Sequence, residues 1–373
     1  MFLVVGCGLS GAVIAERIAN VLKEKVIIIE KLNHIAGNCY DYIDAETGIL
    51  CNKYGLHLFH TNNERVWNYI NNFDKWIRWE HKVLSYVDNK FINIPVNITT
   101  VNELCNTHIQ NTDEMDEWLK NNQIMFNNIS NSEEMALSRI GKTLYEKLIK
   151  HYTFKQWNKY PIELDKSVLE RIPIRNNFDT RYFNDKYQVI PHKGYTHFIQ
   201  QLLNNPLIEI ILNTDFDDFK KNNDLSKFNK IIYTGPIDKY FSNYNYEKLE
   251  YRSINFIKEI HKNTNYYQIN SVINYPEPNS DFTRIVEYKH ILNQKSNDTI
   301  IFKEITNDFG EPYYPVPTKK NQDIYKKYKE LADKEKNIYF VGRLANYKYF
   351  NMDEAILNSL IISDDIINNY VVI

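Results

Sequence analysis

A glycine-rich turn between two apolar runs, close to the start of the chain, constrains the fold more than any other feature. Residues 2–5 (FLVV) predict a buried strand, residues 6–11 follow the pattern G-x-G-x-x-G, and residues 26–29 (VIII) predict a second strand that ends at Glu30. The helix predicted between them carries one apolar face, formed by Ala12, Ile14, Ala15, Ile18 and Val21. Two strands joined by a helix within about thirty residues form a β–α–β unit, so an α/β fold with a parallel sheet is expected.

The glycine spacing is typical of a dinucleotide-binding turn. Gly6 permits a tight turn, Gly8 lets a pyrophosphate approach the backbone, and Gly11 lets helix and strand pack closely. The phosphates would bind the free N–H groups at the helix N-terminus, and Glu30 would accept hydrogen bonds from an adenosine ribose. A tight turn without a ligand is the alternative, and the strand, helix and acidic residue around the motif favour the dinucleotide. The glycines alone do not distinguish FAD from NAD.

Composition and charge argue against several classes of protein. The chain of 373 residues has 43% hydrophobic and 25% charged residues and a formal net charge of −2, which gives no indication of a nucleic-acid or membrane-surface partner. No apolar run approaches the roughly 20 residues that span a bilayer. The cysteines form no CxxC pair, so reduced thiols in a cytoplasmic protein are expected. They are Cys7, Cys39, Cys51 and Cys105.

Periodicity along the rest of the chain predicts insertions into the nucleotide-binding fold. A helix is predicted over residues 132–152, with Ser130 or Asn131 as its N-cap. Between residues 251 and 306 apolar residues alternate with polar ones, which predicts antiparallel strands with one buried face. The other predicted elements are a helix over 195–203, strands over 208–212, 231–234 and 338–341, and a helix over 352–369.

Several segments resemble one family of flavoproteins. Residues 30–38 (EKLNHIAGN) resemble the extended FAD signature of the glutathione-reductase-like flavoproteins, and residues 53–61 (KYGLHLFHT) are similar to the UDP-galactopyranose mutases within that group. Further matches to this family are found at residues 152–157 (YTFKQW), 171–173, 233–238, 249–253, 283–284, 311–316 and 342–345. The resemblance therefore covers nearly the whole chain.

The resemblance implies an α/β fold of three domains: a Rossmann-like FAD-binding domain, an inserted helical bundle and an antiparallel β-sheet domain. The FAD-binding domain would be discontinuous and comprise residues 1–75, 188–244 and 326–373. The helical domain, with a mobile lid, would comprise residues 98–170. The antiparallel sheet domain, which binds substrate, would comprise residues 76–97, 171–187 and 245–325.

The resemblance also implies an activity. Members of the family interconvert UDP-galactopyranose and UDP-galactofuranose, which supplies galactofuranose for cell-surface polysaccharides. The cofactor is FAD in its reduced form: flavin N5 attacks the anomeric carbon, UDP leaves, and the sugar ring opens and recloses on a different hydroxyl before UDP returns. No net redox change occurs. A UDP-sugar substrate and a homodimer are the partners that the resemblance implies.

Individual residues take roles from the matching motifs. The implied catalytic residues are Arg171, on the mobile lid, Arg284, His57 and His60. The implied substrate contacts are Tyr152, Trp157, Tyr182, Arg252, Asn274, Tyr314, Tyr349 and Asn351. The implied cofactor contacts are Gly6, Gly8, Leu9, Ser10, Gly11, Glu30, Lys31, Gly37, Asn38, Arg343 and Met352. For each arginine the alternative is a surface salt bridge, and for each aromatic residue it is core packing. Two histidines three residues apart could suggest a metal, but no third ligand is apparent.

One departure from the family pattern bears on the substrate. Asn351 stands where the family usually has Asp, and Phe350 stands where it has Tyr. Asparagine caps a helix about as well as aspartate, so the fold should be unaffected, but a negative charge is lost near the site. Alternatives therefore stay open: a mutase for UDP-N-acetylgalactosamine or a deoxysugar nucleotide, an FAD-dependent oxidoreductase of the amine-oxidase type, or a flavin-binding scaffold without activity.

Overall fold

A parallel sheet forms the centre of the nucleotide-binding part. The structure is a computed structural model that describes residues 1–170 and 172–371. Among them, five parallel strands form this sheet, in the order Ile208–Ile211, Val26–Ile29, Phe2–Val5, Lys230–Tyr233 and Ile338–Phe340. Phe2 pairs with Val26 on one side and with Lys230 on the other. The chain therefore adds strands first on one side of Phe2–Val5 and later on its other side. Open α/β sheets bind ligands at such a switch point, beyond the carboxyl ends of the strands.

Helices cover this sheet, and the first of them corrects one prediction. The helix Leu9–Arg17 continues through a wider π-helical turn, Ile18–Leu22. Ile18 is fully buried as predicted, but Val21 is 45% exposed, so its assignment to the buried face is wrong. A π turn adds a residue to the helical repeat and rotates the subsequent side chains away from the core. The other helices beside the parallel sheet are Tyr195–Leu202, Phe216–Asn222, Ile237–Tyr240, Lys319–Ala332 and Met352–Val371.

The second large sheet is mixed rather than wholly antiparallel. Among the described residues it contains seven strands, in the order Tyr314–Pro315, Tyr251–His261, Thr299–Asn307, Arg284–Glu287, Val272–Asn274, Val83–Val87 and Lys90–Ile94. The predicted antiparallel pairing holds except at one place, where Ile273 lies opposite Leu84 in a parallel pair. The chain reaches this strand by a long excursion through the helical region, and such a crossover permits parallel pairing.

The helical region contains the helices Ile98–Cys105, Thr112–Asn122, Ser132–Leu144, Lys150–Trp157 and Ser167–Glu170. The predicted N-cap Asn131 is confirmed, since its side chain accepts from the Glu134 N–H at 2.9 Å. The single helix predicted over 132–152 is wrong in detail. Gly141 has φ +71°, and a π turn, Tyr145–Ile149, follows. A Cβ at Gly141 would lie 2.4 Å from the Asn122 carbonyl oxygen, so the kink accommodates a close approach between helices.

Short elements join the large sheets. Phe59–Thr61 and Trp76–Arg78 both pair with Tyr187–Pro191, and Asp41–Ile43 pairs with Leu50–Asn52. The helix Glu64–Ile70 lies between Phe59–Thr61 and Trp76–Arg78 in the sequence. Trp76–Arg78 therefore pairs across the domain boundary predicted after residue 75, and the division into domains remains a prediction. Across the described parts of the chain, no helix combines the length and the apolar character needed to cross a membrane.

Candidate functional site

The glycine-rich turn brings bare backbone together at the N-terminus of the first helix. Gly6 has φ +103°, a conformation that favours glycine. A Cβ on Gly11 would lie 2.1 Å from the Gly6 carbonyl oxygen, and a Cβ on Gly37 would lie 2.9 Å from the Cα of Gly8. Leu9 and Ser10 begin the helix directly after this turn. The turn therefore leaves uncapped N–H groups beside a side-chain-free surface, as phosphate binding requires.

Glu30 is fixed at the end of the second strand beside this turn. Its carboxylate is 5% exposed and accepts from the N–H groups of Cys7 at 2.7 Å and Leu32 at 2.9 Å. Lys31 is exposed and forms an ion pair with Glu311. The half-buried Asn38 lies in the short 3₁₀ helix Gly37–Cys39. The predicted ribose-binding carboxylate therefore lies next to the predicted phosphate-binding turn.

The C-terminal segment returns to the same turn. A Cβ on Gly342 would lie 2.8 Å from the Ser10 hydroxyl oxygen, so this loop lies directly against the first helix. The Arg343 guanidinium donates to the Phe350 carbonyl at 2.6 Å and lies 4.9 Å from the ring centre of Tyr349. Arg343 therefore connects the nucleotide-binding turn to the aromatic wall of a cavity.

That cavity, of about 590 Å³, brings together most of the predicted site residues from distant parts of the sequence. Those that line it are His57, His60, Tyr152, Trp157, Tyr182, Asn274, Arg284, Tyr314, Arg343, Tyr349, Asn351 and Met352. Arg252 does not line it. The predicted catalytic Arg171 lies outside the described residues.

Arg284 reaches the cavity from the mixed sheet, where Asn274 and Glu304 are its cross-strand neighbours. Its Nε donates to Glu304 Oε2 at 2.7 Å. Burial alone would lower the pKa of the Arg284 guanidinium, but the charge of Glu304 and the nearby Tyr152 phenol raise that pKa well above its ordinary value. The other oxygen of Glu304 is buried without a hydrogen-bond partner among the described residues. Sequence reasoning missed Glu304, because cross-strand register is not written in any local motif.

Three histidines line the same cavity. Since a carbonyl oxygen only accepts, His57 Nδ1 must carry the proton that it donates to the Gly55 oxygen at 2.8 Å. Burial, helped by the charges of Arg343 and Arg284, lowers the pKa of His57 to about 4. His60 Nδ1 lies 2.9 Å from Asp185 Oδ2. His81, which sequence reasoning also missed, is 4% exposed, and its Nδ1 has no partner in the described part of the chain.

Aromatic residues also line the cavity. Tyr314 and Tyr349 stack with ring centres 5.3 Å apart, and Trp157 lies 6.3 Å from Tyr314. Burial raises the pKa of Tyr314 to about 12, with Tyr349 adding to the effect. Burial likewise raises the pKa of Tyr152. These phenols stay protonated at neutral pH and can donate hydrogen bonds to an anion.

Two further predicted substrate contacts, Tyr182 and Asn351, also line the cavity. Tyr182 packs edge-on against His81, with ring centres 5.9 Å apart. The backbone N–H of Asn351 donates to Glu354 Oε2 at 2.8 Å, one turn into the final helix. Asn351 thus precedes a helix whose first residues line the cavity. Because Asn351 is uncharged, the carboxylates near this helix N-terminus are those of Asp353 and Glu354 in its first turn.

Comparison with known proteins agrees with this arrangement. A family model for UDP-galactopyranose mutase matches residues 147–349, and one for an NAD(P)-binding Rossmann-like domain matches residues 4–73. The latter confirms the predicted nucleotide-binding Rossmann-like domain. The chain is 35% identical over 371 residues to a probable UDP-galactopyranose mutase of Klebsiella pneumoniae, covering 98% of this chain and 94% of that protein.

Two more similarities cover nearly the full length. A dTDP-fucopyranose mutase of Escherichia coli is 34% identical over 364 residues, which is 96% of each chain. The crystal structure of reduced UDP-galactopyranose mutase superposes with a TM-score of 0.77 at 17% identity, covering 98% of this chain and 95% of the other, and so shows the same fold. The chain therefore belongs to the UDP-galactopyranose mutase family.

Proposed function

We propose that this chain binds FAD and, with the flavin reduced, interconverts UDP-galactopyranose and UDP-galactofuranose. The observation that carries the proposal is the cavity itself. Its lining includes Arg343, whose neighbour Gly342 lies against the first helix, together with Arg284 and the aromatic residues Tyr152 and Trp157. A cofactor bound at the nucleotide-binding turn would thus share the cavity with a sugar nucleotide bound by Arg284 and the aromatic residues.

The residues around the turn fit FAD. Gly8 and Gly37 provide the bare surface on which a pyrophosphate can lie, and Glu30 stands where it would accept hydrogen bonds from a ribose. Arg343 adds a cation near the flavin end. The reduced flavin would supply the nucleophile for the anomeric carbon of the sugar.

The substrate end would act mainly on the diphosphate. The Arg284 guanidinium keeps its charge, and the protonated Tyr314 phenol can donate to a phosphate oxygen, so the departing UDP would be neutralised and retained. The neutral His57 adds no positive charge beside the cofactor. Arg171 is proposed as a second catalytic arginine on the basis of its family motif.

A turnover experiment tests the proposal. Purified protein reduced with dithionite is incubated anaerobically with UDP-galactofuranose, and the products are separated by chromatography. We expect UDP-galactopyranose to form, and the same protein left oxidised to be much slower. Activity restricted to the oxidised protein would instead indicate an oxidoreductase. A flavin-loaded protein without turnover on any sugar nucleotide would indicate a scaffold.

A second candidate is a mutase for a deoxysugar nucleotide or for UDP-N-acetylgalactosamine. It is favoured by the 34% identity to a dTDP-fucopyranose mutase and by Asn351 in place of the usual aspartate. The same turnover panel, extended to dTDP-fucopyranose and UDP-N-acetylgalactosamine, compares kcat/KM directly. The largest value identifies the sugar.

We also propose that the protein works in the cytoplasm as a homodimer. The four cysteines, all within the described residues, are free thiols, which suits a reducing compartment. The dimer is inferred from the family resemblance. Sedimentation equilibrium of the flavin-loaded protein tests it, and a single species of 44.5 kDa would contradict it.

A further inference from the structure

We propose that Arg252 and Lys155 are positioning residues that anchor the helix Lys150–Trp157 to the mixed sheet, so that Tyr152 and Trp157 face the cavity. Neither cation would touch substrate. The inference rests on the proposed function only for its kinetic readout, because the anchoring itself is a property of the folded chain.

The Arg252 guanidinium donates hydrogen bonds at the C-terminal end of this helix. Its side chain is 3% exposed, and its Nε donates to the Gln156 carbonyl oxygen at 3.0 Å. A terminal nitrogen donates to the Thr306 hydroxyl at 3.2 Å, and another forms an ion pair with Asp308. The Thr306 hydroxyl in turn donates to the Lys155 carbonyl. Two carbonyls that the last helical turn leaves unpaired are thus satisfied from the sheet.

Lys155 makes the second anchor with its side chain. Its Nζ lies within hydrogen-bond distance of the Glu277 carbonyl at 2.9 Å, the Ser280 hydroxyl at 3.0 Å and the Phe282 carbonyl at 3.1 Å. It also contacts the Tyr275 carbonyl. These acceptors belong to the loop that joins the strand of Asn274 to the strand of Arg284. One ammonium group therefore ties the helix to the loop between two cavity-lining strands.

The helix ends directly after these contacts. Asn158 has φ +52°, and its amide donates to Asp308 Oδ2 at 2.8 Å, so the carboxylate that pairs with Arg252 also holds the residue that terminates the helix. Tyr152 and Trp157, at the two ends of this short helix, both line the cavity. A cation near a helix C-terminus also interacts favourably with the helix dipole. Arg252 therefore shapes the site through the helix that it caps.

Amide hydrogen exchange of the flavin-loaded, substrate-free protein tests the anchoring. In the variants Arg252→Met and Lys155→Met, we expect the backbone amides of residues 150–157 to exchange hydrogen roughly tenfold faster than in wild type. Lys150→Met, on the same helix, removes only a partly exposed pair with Glu146 and should leave exchange and activity unchanged. Arg252→Lys keeps the positive charge but loses the planar guanidinium and its several donors, so it should also accelerate exchange. This variant replaces Arg252→Met if the methionine variant does not fold.

Kinetics distinguish positioning from direct binding. We expect KM for the sugar nucleotide to rise roughly tenfold in both anchor variants, together with faster exchange before substrate is added. If Arg252→Met weakens UDP binding while exchange over 150–157 stays at the wild-type rate, Arg252 binds the diphosphate directly and the proposal is wrong. Because exchange is measured without substrate, it remains informative even if the protein acts on a different sugar or on none.

Discussion

Arg284 and Glu304 show how one residue of the site depends on another that no motif reveals. Glu304 is 3% exposed and has the Arg284 guanidinium as its charge partner at 2.7 Å. Arg284 was predicted from the sequence because it lies in a short family motif. Glu304 and His81 were not, because their proximity to the site results from strand register and from packing between segments distant in sequence.

The Arg284–Glu304 ion pair predicts that the effects of substituting the two residues on stability are not additive. Arg284→Met should abolish turnover and destabilise the fold by about 3 kcal/mol, because it leaves the buried Glu304 carboxyl without its ion-pair partner. Glu304→Gln added to it should restore most of the stability and none of the activity. Denaturant unfolding and steady-state rates measure the two effects. A double mutant as unstable as Arg284→Met would show that the ion pair does not set the stability.

His81 predicts a pH dependence of stability. Burial, with smaller contributions from Arg284 and His60, lowers the pKa of His81 to about 3. An unfolded chain takes up a proton on this imidazole near pH 6.5, while the folded one stays neutral, so acid favours unfolding. Between pH 6.5 and about pH 5 this group should remove about 2 kcal/mol from the free energy of unfolding.

The variant His81→Asn provides the comparison. It lacks this titration, so the stability advantage of wild type over the variant should shrink by about 2 kcal/mol over that pH range. Any constant cost of the substitution cancels, because only the change of the difference with pH is used. A difference that stays constant with pH would mean that the folded protein protonates His81 as readily as the unfolded one.

At the scale of elements, the phosphate-binding turn predicts a contrast between two glycines with positive φ. Gly37 has φ +51° and a Cβ there would meet Gly8 Cα at 2.9 Å, whereas Gly48 has φ +70° and no atom of the described chain within 4 Å of a Cβ. Gly37→Ala should yield protein without bound flavin. Gly48→Ala should retain flavin and lose only about 1 kcal/mol, the cost of the backbone conformation. Absorbance at equal protein concentration measures the occupancy; equal flavin content would contradict the proposed cradle.

Helices and strands could be predicted from the sequence where the local residue pattern determines the structure. They could not be predicted where a contact between distant segments determines it. The strands Phe2–Val5 and Val26–Ile29 follow directly from apolar runs beside the glycine turn. Gly141 breaks a helix whose apolar face continues across it, because the Asn122 carbonyl approaches there. The parallel pairing of Ile273 with Leu84 depends on a crossover of nearly two hundred residues, which periodicity does not encode.

At the scale of the whole molecule, the cavity exists because the mixed sheet, the helical region and the C-terminal segment that follows the parallel sheet meet in one place. Its lining runs from Tyr54 to Glu354, so no single segment contains the site. The family motifs identified individual lining residues, but the size and continuity of the cavity could only come from the packed chain. A ligand that bridges these parts should therefore stabilise them together.

UDP is the ligand that the proposed function predicts. At a concentration a hundredfold above its Kd, UDP should raise the free energy of unfolding of the flavin-loaded protein by about 2.7 kcal/mol. Hydrogen exchange should slow both in the helix Lys150–Trp157 and in the strand Arg284–Glu287, because the aromatic residues and Arg284 would bind the same molecule. dTDP in a parallel titration reports the base preference, and inorganic phosphate is the control for a purely ionic effect. Protection confined to one of the two segments would show that UDP does not bridge the cavity.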